Sequence, residues 1–100
     1  MNSNIFEYSS WIPITSPEVL SDTLTKVLSK CQFTILNFID HKFDPHGYTA
    51  IWLLSESHLA VHSFPEKNRS YVQLSSCNRD KYDMFISLLK SECSGKHLLP

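Results

Sequence analysis

Two stretches, 33–39 (FTILNFI) and 48–54 (YTAIWLL), carry apolar residues at both parities, so strands built from them have no face suited to water. In the first, Phe33, Ile35 and Ile39 oppose Leu36 and Phe38; in the second, Ala50, Trp52 and Leu54 oppose Ile51 and Leu53. A chain of 100 residues has few elements with which to cover two apolar faces. Helical patterning occurs twice. Ser16-Pro17-Glu18 is a helix start, with a capping hydroxyl, a proline at the first turn and an acid that suits the dipole, and Leu20, Leu24, Val27, Leu28 and Cys31 then form one apolar stripe to about Lys30. Asn78 can cap a second helix with Tyr82, Phe85, Leu88, Leu89 and Cys93 on its stripe, and Gly95 marks its end. Two helices cover one face of a sheet, and a second copy of the chain is the economical cover for the other.

The other segments complete a sheet. Residues 5–14 have β-type composition, broken by serines and Pro13 in the manner of an irregular or edge strand. Leu59, Val61 and Ser63 alternate with His58, Ala60, His62 and Phe64, and residues 70–76 alternate again after a polar connection at 65–68. Asp44-Pro45-His46-Gly47 is a turn signal. The expected order is β-α-β-β-β-β-α in one domain spanning 1–100. The fold class is α+β: a two-layer sandwich of a mainly antiparallel sheet with two helices on one face, the sheets of two copies facing each other across a dimer.

A formal net charge of −1 with only Arg69 and Arg79 as arginines argues against a nucleic-acid surface. No apolar run approaches the ~18 residues that span a bilayer, and Met1-Asn2-Ser3-Asn4 lacks the regions of a signal peptide, so no membrane partner and a cytoplasmic setting are expected. Cys31, Cys77 and Cys93 are odd in number, far apart and without a CxxC pair, which disfavours a disulfide framework or a zinc knuckle.

Chemistry concentrates in Leu54-Ser55-Glu56-Ser57-His58-Leu59-Ala60-Val61-His62-Ser63-Phe64-Pro65-Glu66, where a Glu-Ser bond sits at a turn between two apolar runs, with two histidines after it. A serine hydroxyl can attack the preceding carbonyl, and a turn that strains the peptide favours the resulting N-to-O acyl shift. A base that then removes the serine Cα proton expels the Glu56 carboxylate, and loss of ammonia leaves a pyruvoyl group in place of Ser57. His62, with an ordinary imidazole, suits that proton work. Metal binding by His58 and His62 is disfavoured, since four residues of strand separate their Cα atoms by about 13 Å; His58 is read about evenly as a partly buried, hydrogen-bonded ring beside the turn and as a direct participant in the chemistry.

The run Glu56 to Glu66, with His41-Lys42-Phe43-Asp44-Pro45-His46-Gly47 before it and Cys77 after it, resembles the short, self-cleaving prokaryotic S-adenosylmethionine decarboxylases. The resemblance implies cleavage between Glu56 and Ser57 into a β chain, 1–56, and an α chain, 57–100, whose Ser57-derived pyruvoyl cofactor forms a Schiff base with the substrate amine and serves as electron sink. It further implies that His62 and Thr49 assist processing, that Cys77 is the proton donor, that Phe43 stacks on adenine and that Glu66 binds the ribose hydroxyls. No metal is implied, and the active sites lie at or near a homodimer contact. The product is the aminopropyl donor for spermidine and polyamine synthesis. Departures from the pattern are Thr49 for serine, Phe64 for tryptophan, Asn78 for glycine, and an N-terminal strand without the usual Gly-Arg-His opening. Two alternatives stand beside this reading: the same chemistry on arginine or ornithine, and a dimeric relative that binds a ligand or partner chain without cleaving itself.

Overall fold

The computed structural model describes residues 4–94. The elements run β1 (Phe6–Ile12), α1 (Pro17–Lys30), β2 (Ile35–Lys42), β3 (Tyr48–Leu54), β4 (Ser57–Phe64), a 3₁₀ turn (Pro65–Lys67), β5 (Arg69–Ser76) and α2 (Arg79–Ser94). All strands pair antiparallel in one sheet of order β1-β5-β4-β3-β2, which makes β1 and β2 the edges. The order, the α+β class and the edge position of residues 6–12 are as the sequence leads one to expect. Gly95, the anticipated end of the second helix, lies outside the described residues.

Local chemistry sets the helix ends. The Ser16 hydroxyl accepts from the Val19 amide, with Pro17 in the first turn, and Asn78 Oδ1 accepts from the Lys81 amide. Helix α1 stops where Gln32 takes a left-handed φ of 66°, its amide returning to Ser29 and that of Phe33 to Leu28. This is the hydrogen-bond pair of a Schellman ending, and buried Leu28 and Phe33 supply its apolar contact.

The core lies between the sheet and the helices. Leu20, Leu24, Val27 and Leu28 of α1 and Phe85 and Leu89 of α2 pack with Ala50, Trp52, Leu54, Leu59, Val61, Val72 and Leu74 from the sheet. The Trp52 indole, buried there, donates its Nε1–H to Thr25 Oγ1 at 3.0 Å, so its one polar group is satisfied.

Strand β2 departs from expectation. It spans Ile35–Lys42 rather than 33–39, and a register shift between Ile35 and Asn37 reverses the parity of the residues beyond it. Ile35 and Phe38, expected on opposite faces, therefore both lie on the helix side, opposite Leu54 and Trp52, and Phe38 packs against Trp52 at 4.9 Å between ring centroids. Ile39 turns to the other face beside Ile51. That second face carries three rows read across the strands: Asn37, Leu53, His58, Ser75 and Glu7; Ile39, Ile51, Ala60, Gln73 and Ser9; and His41, Thr49, His62, Tyr71 and Trp11. No helix of the described residues covers it, and Ile39 (68% exposed), Ile51 and Leu53 stand open to solvent.

Candidate active site

The β3–β4 connection is a two-residue turn, Ser55-Glu56, closing on the pair Leu54–Ser57. Glu56 sits in it at a φ of 63°, a left-handed conformation that costs a side-chain-bearing residue about 1–2 kcal/mol. The Ser55 amide donates to the Thr34 carbonyl at 3.2 Å and ties the turn down. The carbonyl that the Ser57 hydroxyl would attack thus belongs to a strained residue in an anchored turn.

Cys77, one residue past β5, meets this carbonyl. Its thiol faces the Glu56 backbone oxygen at 3.2 Å and the Glu56 carboxylate at 3.4 Å. The hydrogen bond to that carboxylate pushes the thiol above its ordinary pKa, and desolvation and the carboxylate's charge add to the effect. A cavity of about 540 Å³ opens here, lined by Ile5, Glu56, Ser57, His58, Ser76 and Cys77 among others. It wraps the end of the sheet, because Ser57 and Ser76 fall in a row on the helix side whereas His58 falls in a row on the open face.

A second group gathers at the other end of β3 and β4. Thr49 Oγ1 and His62 Nδ1 lie 3.0 Å apart, from directly paired positions on the open face. Phe43, Phe64 and Glu66 join them around a hollow of about 340 Å³. The turn after β2 places Phe43: its amide bonds the Gly47 carbonyl at 2.9 Å, and Gly47 takes a φ of 115° that other residues rarely adopt. The Phe43 ring then stands edge-on to His41, 4.5 Å between centroids.

The candidate residues therefore divide. Glu56, Ser57 and Cys77 share one end of the sheet; Thr49, His62, Phe43 and Glu66 share the other. Five residue steps along β4 separate Ser57 from His62, a Cα distance of about 17 Å. Among the described residues, no group of three or more His, Cys, Asp and Glu side chains could hold a metal ion.

The sequence model of a protein family, S-adenosylmethionine decarboxylase, matches residues 7–98. The chain belongs to this family. It is 34% identical over 79 residues to an S-adenosylmethionine decarboxylase proenzyme of Prochlorococcus marinus, an alignment covering 78% of this chain and 63% of that protein. With an S-adenosylmethionine decarboxylase proenzyme 2 of Bacillus cereus it shares 41% over 61 residues, covering 56% of this chain and 50% of the relative. The chain thus spans between about half and two thirds of the length of these curated relatives. The crystal structure of the adenosylmethionine decarboxylase from Aquifex aeolicus superposes with a TM-score of 0.68 over 90% of this chain and 83% of that one. At 18% identity, that likeness concerns the fold.

Within this S-adenosylmethionine decarboxylase family member, the structure adds residues that sequence reasoning left as turn or strand positions. His46 joins the second hollow, its Nδ1 3.9 Å from Glu66 Oε1. Tyr71 and Trp11 extend the His62 row, with the Arg69 guanidinium 4.0 Å from the centre of the Trp11 ring. The only signal for His46 was its place in the turn that carries Phe43. No helix of the described residues is long and apolar enough to cross a membrane.

Proposed function

We propose that this chain cuts itself between Glu56 and Ser57 and, with the pyruvoyl group so formed, decarboxylates S-adenosylmethionine to the aminopropyl donor of polyamine synthesis. The observation that carries the reading is the junction itself. A left-handed Glu56 presents its carbonyl to the Cys77 thiol at 3.2 Å, immediately before a serine. In the acyl shift, Ser57 Oγ bonds to the Glu56 carbonyl carbon, the Glu56–Ser57 C–N bond breaks, and the hydroxyl proton passes to the freed amine. Oxyanion charge built on the carbonyl is met by the Cys77 S–H. Removal of the Ser57 Cα proton then breaks the Cβ–Oγ bond and releases residues 1–56 with a new terminal carboxylate, and water displaces ammonia to leave the ketone.

The residues present fit such a group: it needs no ligand from outside, only a hydroxyl, a strained carbonyl and a donor, and all three stand at the cavity. Once formed, the ketone supplies an electrophile for the substrate's amine and a sink for the electron pair left when carbon dioxide departs. The chain's own side chains do the rest. Cys77, held as a thiol, returns a proton to the substrate α-carbon. Phe43 and Phe64 offer aromatic faces for a purine, and the Glu66 carboxylate accepts hydrogen bonds from ribose hydroxyls.

These two sets of side chains complete one another only between chains. Packing the open faces of two copies about a two-fold axis, with strands of opposite direction, brings the Thr49–His62 end of one sheet over the Glu56–Ser57 end of the other. The same contact covers Ile39, Ile51 and Leu53. In the tautomer that donates Nδ1–H to Thr49 Oγ1, His62 keeps the Nε2 lone pair for the partner's junction and serves as processing base. The active enzyme is on this reading a homodimer of cut protomers. Cys31 and Cys77 are free thiols, and the setting proposed for the enzyme is the cytoplasm.

Intact-mass analysis combined with turnover tests the reading. The expected result is two fragments, 1–56 and 57–100, the second blocked by a ketone that borohydride reduces, together with carbon dioxide release from S-adenosylmethionine and none from arginine or ornithine. A single stable chain with no reducible ketone overturns it, as does turnover of an amino acid without turnover of S-adenosylmethionine.

A further inference from the structure

The cut uses only the carbonyl of Glu56, yet the side chain of the same residue reaches Cys77. The sulfur stands 3.2 Å from the carbonyl oxygen and 3.4 Å from Oε1. A thiol has one hydrogen, so these two acceptors share it; a thiolate would face both oxygens with no hydrogen between. Other influences run the opposite way. Cys77 directly precedes the Asn78 cap of α2, and a helix start ordinarily favours the thiolate. His58 lines the same cavity and favours the thiolate whenever it is charged. The first residue of α2, Arg79, is turned aside: its Nε lies 3.1 Å from Asp83 and its guanidinium 5.3 Å from the centre of the Phe6 ring. Ile5 from the segment before β1 and Ser75 and Ser76 from β5 bring no charge. Among the described residues Glu56 is thus the one anion recorded at the sulfur, and beside it the thiol is held above its ordinary range.

We propose that the Glu56 side chain is a positioning residue for Cys77, its carboxylate holding the sulfur as a neutral thiol before the chain is cut and, beside the new terminal carboxylate, after it. The proton donor of the reaction therefore stays loaded to higher pH than an ordinary thiol would: Cys77 gives its proton to the substrate α-carbon, becomes a thiolate against two carboxylates, and is promptly reprotonated by solvent. A group held in its protonated form by neighbouring anions ionises at higher pH, so removing the anion moves ionisation to lower pH. The catalytic part rests on the function proposed above; the contact does not.

The experiment therefore has two arms. In a Ser57→Ala background, which keeps the chain whole, Ser57→Ala is compared with Ser57→Ala/Glu56→Gln by alkylation with iodoacetamide across pH. The readout is the tryptic peptide 70–79, which contains Cys77 and no other cysteine. The glutamine variant should alkylate about 3- to 10-fold faster near pH 8, with its midpoint at lower pH. Glu56→Asp, which keeps a carboxylate, should move back toward the parent curve. Coincident curves overturn the proposal. In the processing-competent chain, Glu56→Gln should bring the alkaline fall of kcat to lower pH and leave KM unchanged; an unmoved kcat profile likewise overturns it. If no chain cuts itself while the alkylation curves differ, the enzymatic reading fails and the thiol contact stands. If cutting and turnover occur with coincident curves, the proposal alone fails.

Discussion

Two variants that are each inert should restore one another. His62→Ala lacks the base and Ser57→Ala lacks the nucleophile, so neither chain alone should be cut. Within one chain His62 lies about 17 Å from Ser57 along β4, whereas a general base acts within about 3 Å of the proton it takes. An imidazole projects only some 6 Å from its Cα, so the shortfall inside one protomer is of order 10 Å. In the proposed dimer, a paired chain lying antiparallel across the open face removes it. In a mixed dimer the His62→Ala chain keeps its Ser57 and borrows the partner's His62, while the Ser57→Ala chain stays whole. With equal expression and random pairing, about half of the His62→Ala chains, a quarter of all chains, should be cut. Co-expression with tags of different size, then denaturing electrophoresis over time, counts the fragments of each chain separately. Whole His62→Ala chains in a verified mixed dimer would refute the reasoning, and so would cutting of His62→Ala chains expressed alone.

Ser57→Ala should give one uncut chain of unchanged circular dichroism that no longer reacts with borohydride; fragments from it would place the scission elsewhere. Cys77→Ala should still be cut, more slowly, and should turn over S-adenosylmethionine at least tenfold less well, since the reaction's proton donor is gone; normal turnover removes Cys77 from the mechanism. Thr49→Val leaves His62 Nδ1 without its 3.0 Å partner, and a hydrogen bond of about 1 kcal/mol corresponds to cutting slowed roughly 5-fold, with Thr49→Ser close to wild type. A time course of fragment formation reads both. Phe85→Ala, at a fully buried position of α2, should cost about 3–5 kcal/mol in urea unfolding of the Ser57→Ala chain; a loss below 1 kcal/mol would mean that α2 is not seated in the core.

The range of the forces involved separates the features that are legible in the residues from those that are not. Ser16 and Asn78 announce the helix starts because a cap bonds its own first turn, and the alternation from Ser57 to Phe64 announces a strand because burial repeats along it. The bulge in β2 announces itself in nothing local. It arises from pairing with β3, which puts Phe38 against Trp52, and no pattern within 33–42 contains that preference. Glu56 and Asn68 hold left-handed positions that glycine usually marks, so the strain at the junction was invisible in the amino-acid type. Cys77 and Glu56 meet across 21 residues through the order of the sheet. The division of the site was hidden for the opposite reason. His62 comes soon after Ser57 in sequence, but an extended strand turns that proximity into distance, and only the geometry shows that the two stand at opposite ends of β4.

The order of the sheet has a consequence for the life of the protein after scission. The fragment 1–56 would own β1, β3 and β2, and the fragment 57–100 would own β5 and β4, so the strands of the smaller piece lie clasped between strands of the larger on both sides. The strands of the larger piece alone do not form one sheet, since β1 is parted from the β3–β2 pair, and α2 rests on strands from both pieces. Assembly must therefore precede cutting, and a mature molecule once unravelled has lost the covalent link that first brought its halves together. A chain cut as proposed would have a one-way history: its severed form would persist because it was built whole.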